Sequence, residues 1–237
     1  MNKTTFSRIF TDRFVADDRG VLPQVKEIVI PIIQRDYAQG RQSEEGIRNE
    51  FLDALYSALS SFDADTKHPR NPVTLDFVYG DITESGDFIP LDGQQRLTTL
   101  FLLSWYASRK EGVHADQCQH LKHFHYKTRP SAEAFCECLV EYRTANWEKE
   151  LSRQIRDEAW FPSSWNHDAT ISSMLVMLDA IQAKFKDVNN QSLGAVGSHV
   201  HLPVTCNYVS SHVIHVPFGL IQFRFCSSIH AMTSGSS

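Results

Sequence analysis

The chain has 237 residues, with 23 Lys and Arg against 28 Asp and Glu, a formal charge of -5 and a pI near 6.1. That length supports a real hydrophobic core, in one large domain or two small ones. The acidic balance excludes a protein that coats nucleic acid through bulk charge and leaves only a local basic patch.

No apolar run approaches the roughly 20 residues needed to span a bilayer, and residues 1–8 lack the apolar stretch of a signal peptide. The five cysteines are odd in number and form no Cys-x-x-Cys pair, and Cys136 and Cys138 stand too close for a zinc half-site. Reduced, mostly buried thiols in a cytoplasmic protein are expected.

Residues 25–33 are rich in Ile and Val and predict a strand, which runs into the polar cluster Gln34-Arg35-Asp36-Tyr37. Gly40 loosens the chain, and a helix starts near Ser43, with Glu44 and Glu45 suiting its dipole. Ile47, Phe51, Leu55 and Leu59 recur every four residues and predict its inward face. Residues 63–72 read as a loop. Alternation from Val73 to Tyr79 predicts a strand, Thr83 to Asp87 a turn, and Phe88 to Leu91 a returning strand that Pro90 places at an edge or end. The segment 94–109 is apolar on more than one side and predicts a buried helix.

The later part reads as wholly helical. Ser131 is placed to cap a helix carrying Phe135, Leu139 and Tyr142, and a second helix runs from about Trp147 to Glu158. Asp168 or Thr170 caps a third, with Ile171, Leu175, Leu178, Ile181 and Phe185 in its stripe. From Val188 to Ser237 the only charged residue is Arg224, and helical periodicity is lost. Such a stretch is either a small β segment covered by a partner or a tail from a disrupted reading frame. The division expected is 1–112, a helical extension 113–187, and an atypical tail 188–237.

The chemistry concentrates in Asp92-Gly93-Gln94-Gln95-Arg96, which sits between the strand and the buried helix. A helix start offers unpaired N–H groups and partial positive charge. Gly93 permits close backbone approach, and Arg96 can fork two bonds onto phosphate oxygens. In this reading Arg35 and Arg96 bind phosphates and Gln34, Gln94 and Gln95 take phosphate or base. Asp92 holds a magnesium ion or a water. On spacing alone, a second reading stands beside it: Asp92 and Arg96, four apart, form an ordinary helix-terminal ion pair over a solvated first turn. The stretch Lys122, His123, His125, Lys127 and Arg129, around Phe124 and Tyr126, is either a solvated loop or a surface for a nucleic acid strand. Arg109-Lys110 suits a helix C-terminus, and Trp160, Phe161 and Trp165 suit packing.

Ile30-Pro31-Ile32-Ile33-Gln34-Arg35-Asp36-Tyr37, then Val78-Tyr79-Gly80-Asp81, then Leu91 to Leu100, resembles the N-terminal domain family of GmrSD-type restriction endonucleases. The stretches 34–41, 124–129 and 160–178 resemble one branch of it, so the likeness covers about residues 20–187. The resemblance implies an α+β fold, a small mixed sheet of ParB and sulfiredoxin type with packed helices, followed by a helical extension. It implies nucleotide binding and hydrolysis, coupled to recognition or cleavage of foreign, often modified, DNA. The matching residues are Gln34, Arg35, Asp92, Gly93, Gln94, Gln95 and Arg96, with Asp92, Arg96 and Arg35 in catalytic roles. The implied ligands are a nucleoside triphosphate and Mg2+. The implied partners are DNA and an HNH-type nuclease domain or subunit.

The analogous turn of the sulfiredoxin relatives carries a reactive cysteine. Here Gln94 and Gln95 fill those positions, so sulfur redox chemistry is not expected. The family's later segment, bearing Asn and Arg, is not found after residue 187, and His199, His201, His212, His215 and His230 lack metal-ligand spacing. An incomplete domain that has lost turnover is therefore expected. The alternative reading is a non-catalytic DNA-recognition or regulatory subunit that uses the same pocket for backbone phosphate.

Overall fold

A computed structural model describes residues 2–16, 20–32, 36–60, 62–63, 68–69, 73–113, 118–127, 129–188 and 200–209. Gln34 and Arg35, and most of the 188–237 segment, lie outside the described residues. In chain order the strands and helices are β1 (Asn2–Thr5), β2 (Val15–Ala16), β3 (Gly20–Val21), β4 (Glu27–Ile30), α1 (Glu45–Ser60), β5 (Phe62–Asp63), β6 (His68–Pro69), β7 (Val73–Thr74), β8 (Val78–Thr83), β9 (Asp87–Asp92), α2 (Gln94–Lys110), α3 (Gln119–Lys122), β10 (Phe124–Tyr126), α4 (Pro130–Glu141), α5 (Leu151–Arg156), α6 (Ala169–Phe185) and β11 (Val200–Val209).

The main sheet is mixed, in the order β1-β11-β8-β9-β4-β10, with β7 also alongside β11. β8 and β9 form an antiparallel hairpin, whereas β9–β4, β4–β10 and β11–β8 are parallel. Period-two burial explains the strands that lie at its centre: Ile28 and Ile30 of β4 and Val78 and Ile82 of β8 are fully buried, with partly exposed residues between them. The β8–β9 turn closes through Gly86, at φ 95°, whose N–H reaches the Thr83 carbonyl at 3.0 Å. The fold is α+β, as the family resemblance implies.

α2 lies at the centre of the core. Leu97, Leu100, Phe101, Leu102, Leu103 and Trp105 have no exposed surface, so the helix is covered on all sides rather than along one stripe. Phe101 stacks on Phe124 of β10 at 4.6 Å, and α6 packs alongside with Ile171, Leu175, Leu178, Ile181 and Phe185 buried. Each such side chain contributes on the order of 2 kcal/mol. Asp168 caps α6, its Oδ1 accepting from the N–H groups of Thr170 at 2.8 Å and Ile171 at 3.1 Å.

Several expectations are corrected. The inward face of α1 is Arg48, Leu52, Leu55 and Leu59, while Ile47 is 57% exposed. A four-residue repeat drifts around a helix of 3.6 residues per turn, so its first member rotates out of the core. The strand expected from Val73 to Tyr79 breaks after Thr74, leaving Phe77 half-exposed, and pairing resumes from Val78 to Thr83. β9 is interior rather than an edge strand; Pro90 is tolerated because pairing with β4 involves only Asp87 and Phe88, and a bulge at Tyr79/Gly80 lies opposite.

Ser131 does not cap α4. Pro130 occupies its first turn, and Ser131 Oγ instead donates to Asp168 at 2.6 Å. The helix expected from Trp147 shortens to Leu151–Arg156. The later part is not wholly helical, since β10 joins the sheet beside β4; three residues are too few to display a strand period. Within the segment set apart as a tail, β11 lies between β1 and β8 in the main sheet. Gly40 is a point of contact rather than of slack: a Cβ there would fall 1.9 Å from the Ser173 carbonyl oxygen of α6.

Candidate functional site

β9 ends at Asp92, and the chain turns through Gly93 into α2. Gly93 holds φ 87°, in the left-handed region, and as the N-cap it has no side chain with which to cap the helix. An added Cβ would lie 2.8 Å from Val78 Cγ2 and 3.2 Å from Arg96 Nη1, so both conformation and space demand glycine. The Gly93 carbonyl accepts from Leu97 N–H at 3.0 Å, starting the helix ladder.

The polar side chains of the turn divide by task. Asp92 Oδ1 accepts from its neighbour Gly93 N–H at 2.7 Å. Gln94 folds back on β9, its Nε2 donating to the Leu91 carbonyl at 3.0 Å, and is buried. Gln95 clamps the chain leaving β4: its Oε1 accepts from Ala38 N–H at 2.8 Å and its Nε2 donates to the Asp36 carbonyl at 3.2 Å. Arg96 Nη1 donates to the Phe77 carbonyl at 2.8 Å, and its Nη2 lies 3.6 Å from the exposed carboxylate of Asp76. Among the described residues Arg96 makes no pair with Asp92, so the ion pair allowed by their spacing is not formed. Nor is the first turn simply solvated, because both glutamines are engaged.

Gln95 therefore draws the chain at Asp36 and Ala38, at the end of the second polar cluster, against α2. Tyr37, just beyond Gln34 and Arg35, is fully buried, and its OH meets Thr99 Oγ1 at 2.7 Å. Burial pushes the Tyr37 phenol well above its ordinary value, and the Thr99 contact opposes this only in part. Thr99 donates to Gln39 Oε1 at 2.5 Å. Asp36 accepts from Arg129 at 3.1 Å and lies 3.8 Å from Arg41.

A cavity of about 790 Å3 opens between α1, the β7–β8 connection and the start of α2. All five residues from Asp92 to Arg96 line it, with Gln39, Ile47, Glu50, Phe51 and Asp76 among its other walls. Its described charges are three carboxylates, Glu50, Asp76 and Asp92, against one guanidinium. From sequence, neither Glu50 nor Asp76 is assigned to a site, and Ile47 is placed on the inward face of α1 rather than on a cavity wall.

The other polar segments are structural. Phe124 and Tyr126 are buried in β10, and so closed to base stacking. His123 and His125 both bond Glu27, and Lys122 reaches Glu141 at 3.1 Å, so this stretch is neither a solvated loop nor a stacking surface. Arg109 is buried and donates to the carbonyls of Val113 and Val140. Trp160, Phe161 and Trp165 pack with Phe135 in an edge-to-face cluster, as expected. Cys118 and Cys136 are free and buried, and burial raises the Cys136 thiol far above its ordinary value, leaving it inert. Among the described residues no helix is long and apolar enough to cross a membrane.

No curated protein matches the chain. The family described as GmrSD restriction endonuclease, N-terminal domain, matches residues 18–216, continuing past 187 and taking in β11. With that match covering most of its length, and with the Asp-Gly-Gln-Gln-Arg turn built into a cavity wall, the chain belongs to the GmrSD restriction endonuclease N-terminal domain family, and so to the components of restriction systems.

Proposed function

We propose that the cavity at the start of α2 binds a nucleoside triphosphate with Mg2+, and that its hydrolysis licenses cutting of foreign DNA by an HNH-type nuclease partner. One observation carries this reading: all five residues of the turn line a single cavity of about 790 Å3, a volume typical of small-molecule sites. The uncapped first turn of α2 turns its N–H groups and partial positive charge to the same place.

The donor set fits a hard cation. Asp92 supplies carboxylate oxygen at the turn, and Mg2+ needs only one or two carboxylates when phosphates and water complete its shell. Asp92 would hold it, and the ion would offset charge on the phosphates. Arg96 binds the γ-phosphoryl group by exchanging its weak contact with Asp76, whose exposed carboxylate gives little stabilisation. Together with Arg35 and the helix-start amides, Arg96 stabilises the charge that develops in phosphoryl transfer. Asp92 orients the attacking water. Gln34 completes the phosphate or base contacts, while Gln94 braces the turn against β9 and Gln95 ties the start of α2 to the chain leaving β4.

The three carboxylates lining the cavity argue against a pocket for DNA backbone phosphate. Without a metal ion they repel it, and a single described arginine does not offset them. Calorimetry with nucleotide and Mg2+ tests the proposal. Arg96→Ala abolishes binding while circular dichroism stays native, and unchanged affinity would sink it. A plasmid-nicking assay with the nuclease partner, with and without nucleotide, tests the coupling.

A further inference from the structure

We propose that His125 of β10 and Glu133 and Glu137 of α4 form a second metal site, for a divalent transition ion such as Zn2+. One ligand atom from each lies within 4.8 Å of the others. Glu133 and Glu137 are four apart on one helix and so share a face. Opposite them, His125 Nδ1 stands 3.8 Å from Glu133 Oε1.

The surroundings of His125 point to a cation. Its Nε2 lies 3.0 Å from Glu27 Oε2, and the same carboxylate holds His123 Nδ1 at 3.1 Å. With Glu27 behind Nε2, the opposite ring nitrogen, Nδ1, is turned to the side of Glu133 and Glu137, the arrangement of a ligating imidazole backed by a carboxylate. A carboxylate behind a ligating histidine fixes the tautomer and raises the basicity of the ligand. An imidazole with two carboxylates suits Zn2+ or Mn2+ better than Mg2+, which prefers an all-oxygen octahedron. Glu137 is exposed, which leaves an entry path and room for a water.

The ion acts in positioning rather than in catalysis. It clips β10 to α4 across Arg129, the residue that bonds Asp36. This site is separate from the α2 cavity, so its test is independent of nucleotide binding.

Calorimetric titration of the EDTA-treated full chain with Zn2+ alone is the experiment. The expected result is one equivalent bound. His125→Gln and Glu137→Gln each weaken it at least about tenfold, and Glu27→Gln weakens it by about tenfold through loss of ligand orientation. Because His125 is partly buried, the exposed Glu137→Gln keeps the test open if the histidine variant folds poorly. No saturable uptake below about 100 μM, or uptake unchanged by Glu137→Gln, overturns the site. The first result would mean a protonated His125 bridging Glu27 and Glu133 without metal. The second would mean zinc held elsewhere.

Discussion

The two ends of α2 carry similar residues and use them in opposite ways. At its C-terminus Gly112, at φ 75°, closes a Schellman motif, with Val113 N–H on the Ser108 carbonyl at 2.9 Å and Gly112 N–H on that of Arg109 at 3.1 Å. Arg109 and Lys110 then seal neighbouring chain ends, donating to Val113, Val140 and Phe185 carbonyls. At its N-terminus Gly93 is also left-handed, but it has no capping side chain, and Asp92 and Arg96 line a cavity. One end is closed by protein acceptors and donors, while the other opens on a cavity. Both ends are polar in sequence; only satisfaction of the polar groups separates scaffold from site.

Breaking the closed end has the largest expected effect. Arg109→Ala leaves the Val113 and Val140 carbonyls without their charged donor and costs about 3 kcal/mol in urea unfolding. A loss below about 0.5 kcal/mol would mean that this end is not closed as described. The glycines sharpen the contrast. Gly93→Ala combines left-handed strain with a 2.8 Å approach to Val78 and costs about 2–3 kcal/mol. Gly112→Ala has open space around it and costs only about 1 kcal/mol. Equal losses would remove the claim that the cavity end is sterically tight.

A pH series probes the packed side beyond the closed end. His120 of α3 lies edge-on to Phe6 at 6.1 Å. Burial, aided by His123, lowers its imidazole from 6.5 to about 4. The unfolded chain therefore takes up this proton first as pH falls. Stability is full above about pH 6.5, declines below it, and the loss is complete near pH 4, on the order of 2–3 kcal/mol. His120→Phe flattens that segment of the profile in thermal melts; an unaltered slope would refute the assignment. The smallest effect on stability is expected at Ile47. Ile47→Ala changes stability by less than about 0.5 kcal/mol because the side chain is exposed. It weakens nucleotide binding measurably by calorimetry because it lines the cavity.

The legibility of the sequence follows from the range of each signal. α2 and α6 were readable because each is long, and apolar side chains recur through several turns; the β8–β9 turn was readable from Thr83 to Asp87 because its chemistry is local. β10 was missed because three residues show no period, and β11 because charge content alone does not distinguish a tail from a strand inside a sheet. In the site, the Asp92–Arg96 turn was legible as a local motif. Its hydrogen-bond assignments were not, because Gln95 acts across 57 residues on Ala38 and Arg96 across 19 on Phe77.

The sequence by itself determined where the chemistry sits: a glycine between strand and buried helix, with a carboxylate, two amides and a guanidinium around it, because that motif is made by neighbours within a few residues. Tertiary structure alone decided which of those groups are used up as clamps and which face a cavity, and that Glu50 and Asp76 join Asp92 there. Those outcomes depend on contacts between residues distant in the chain, where backbone carbonyls and long side chains compete for the same donors.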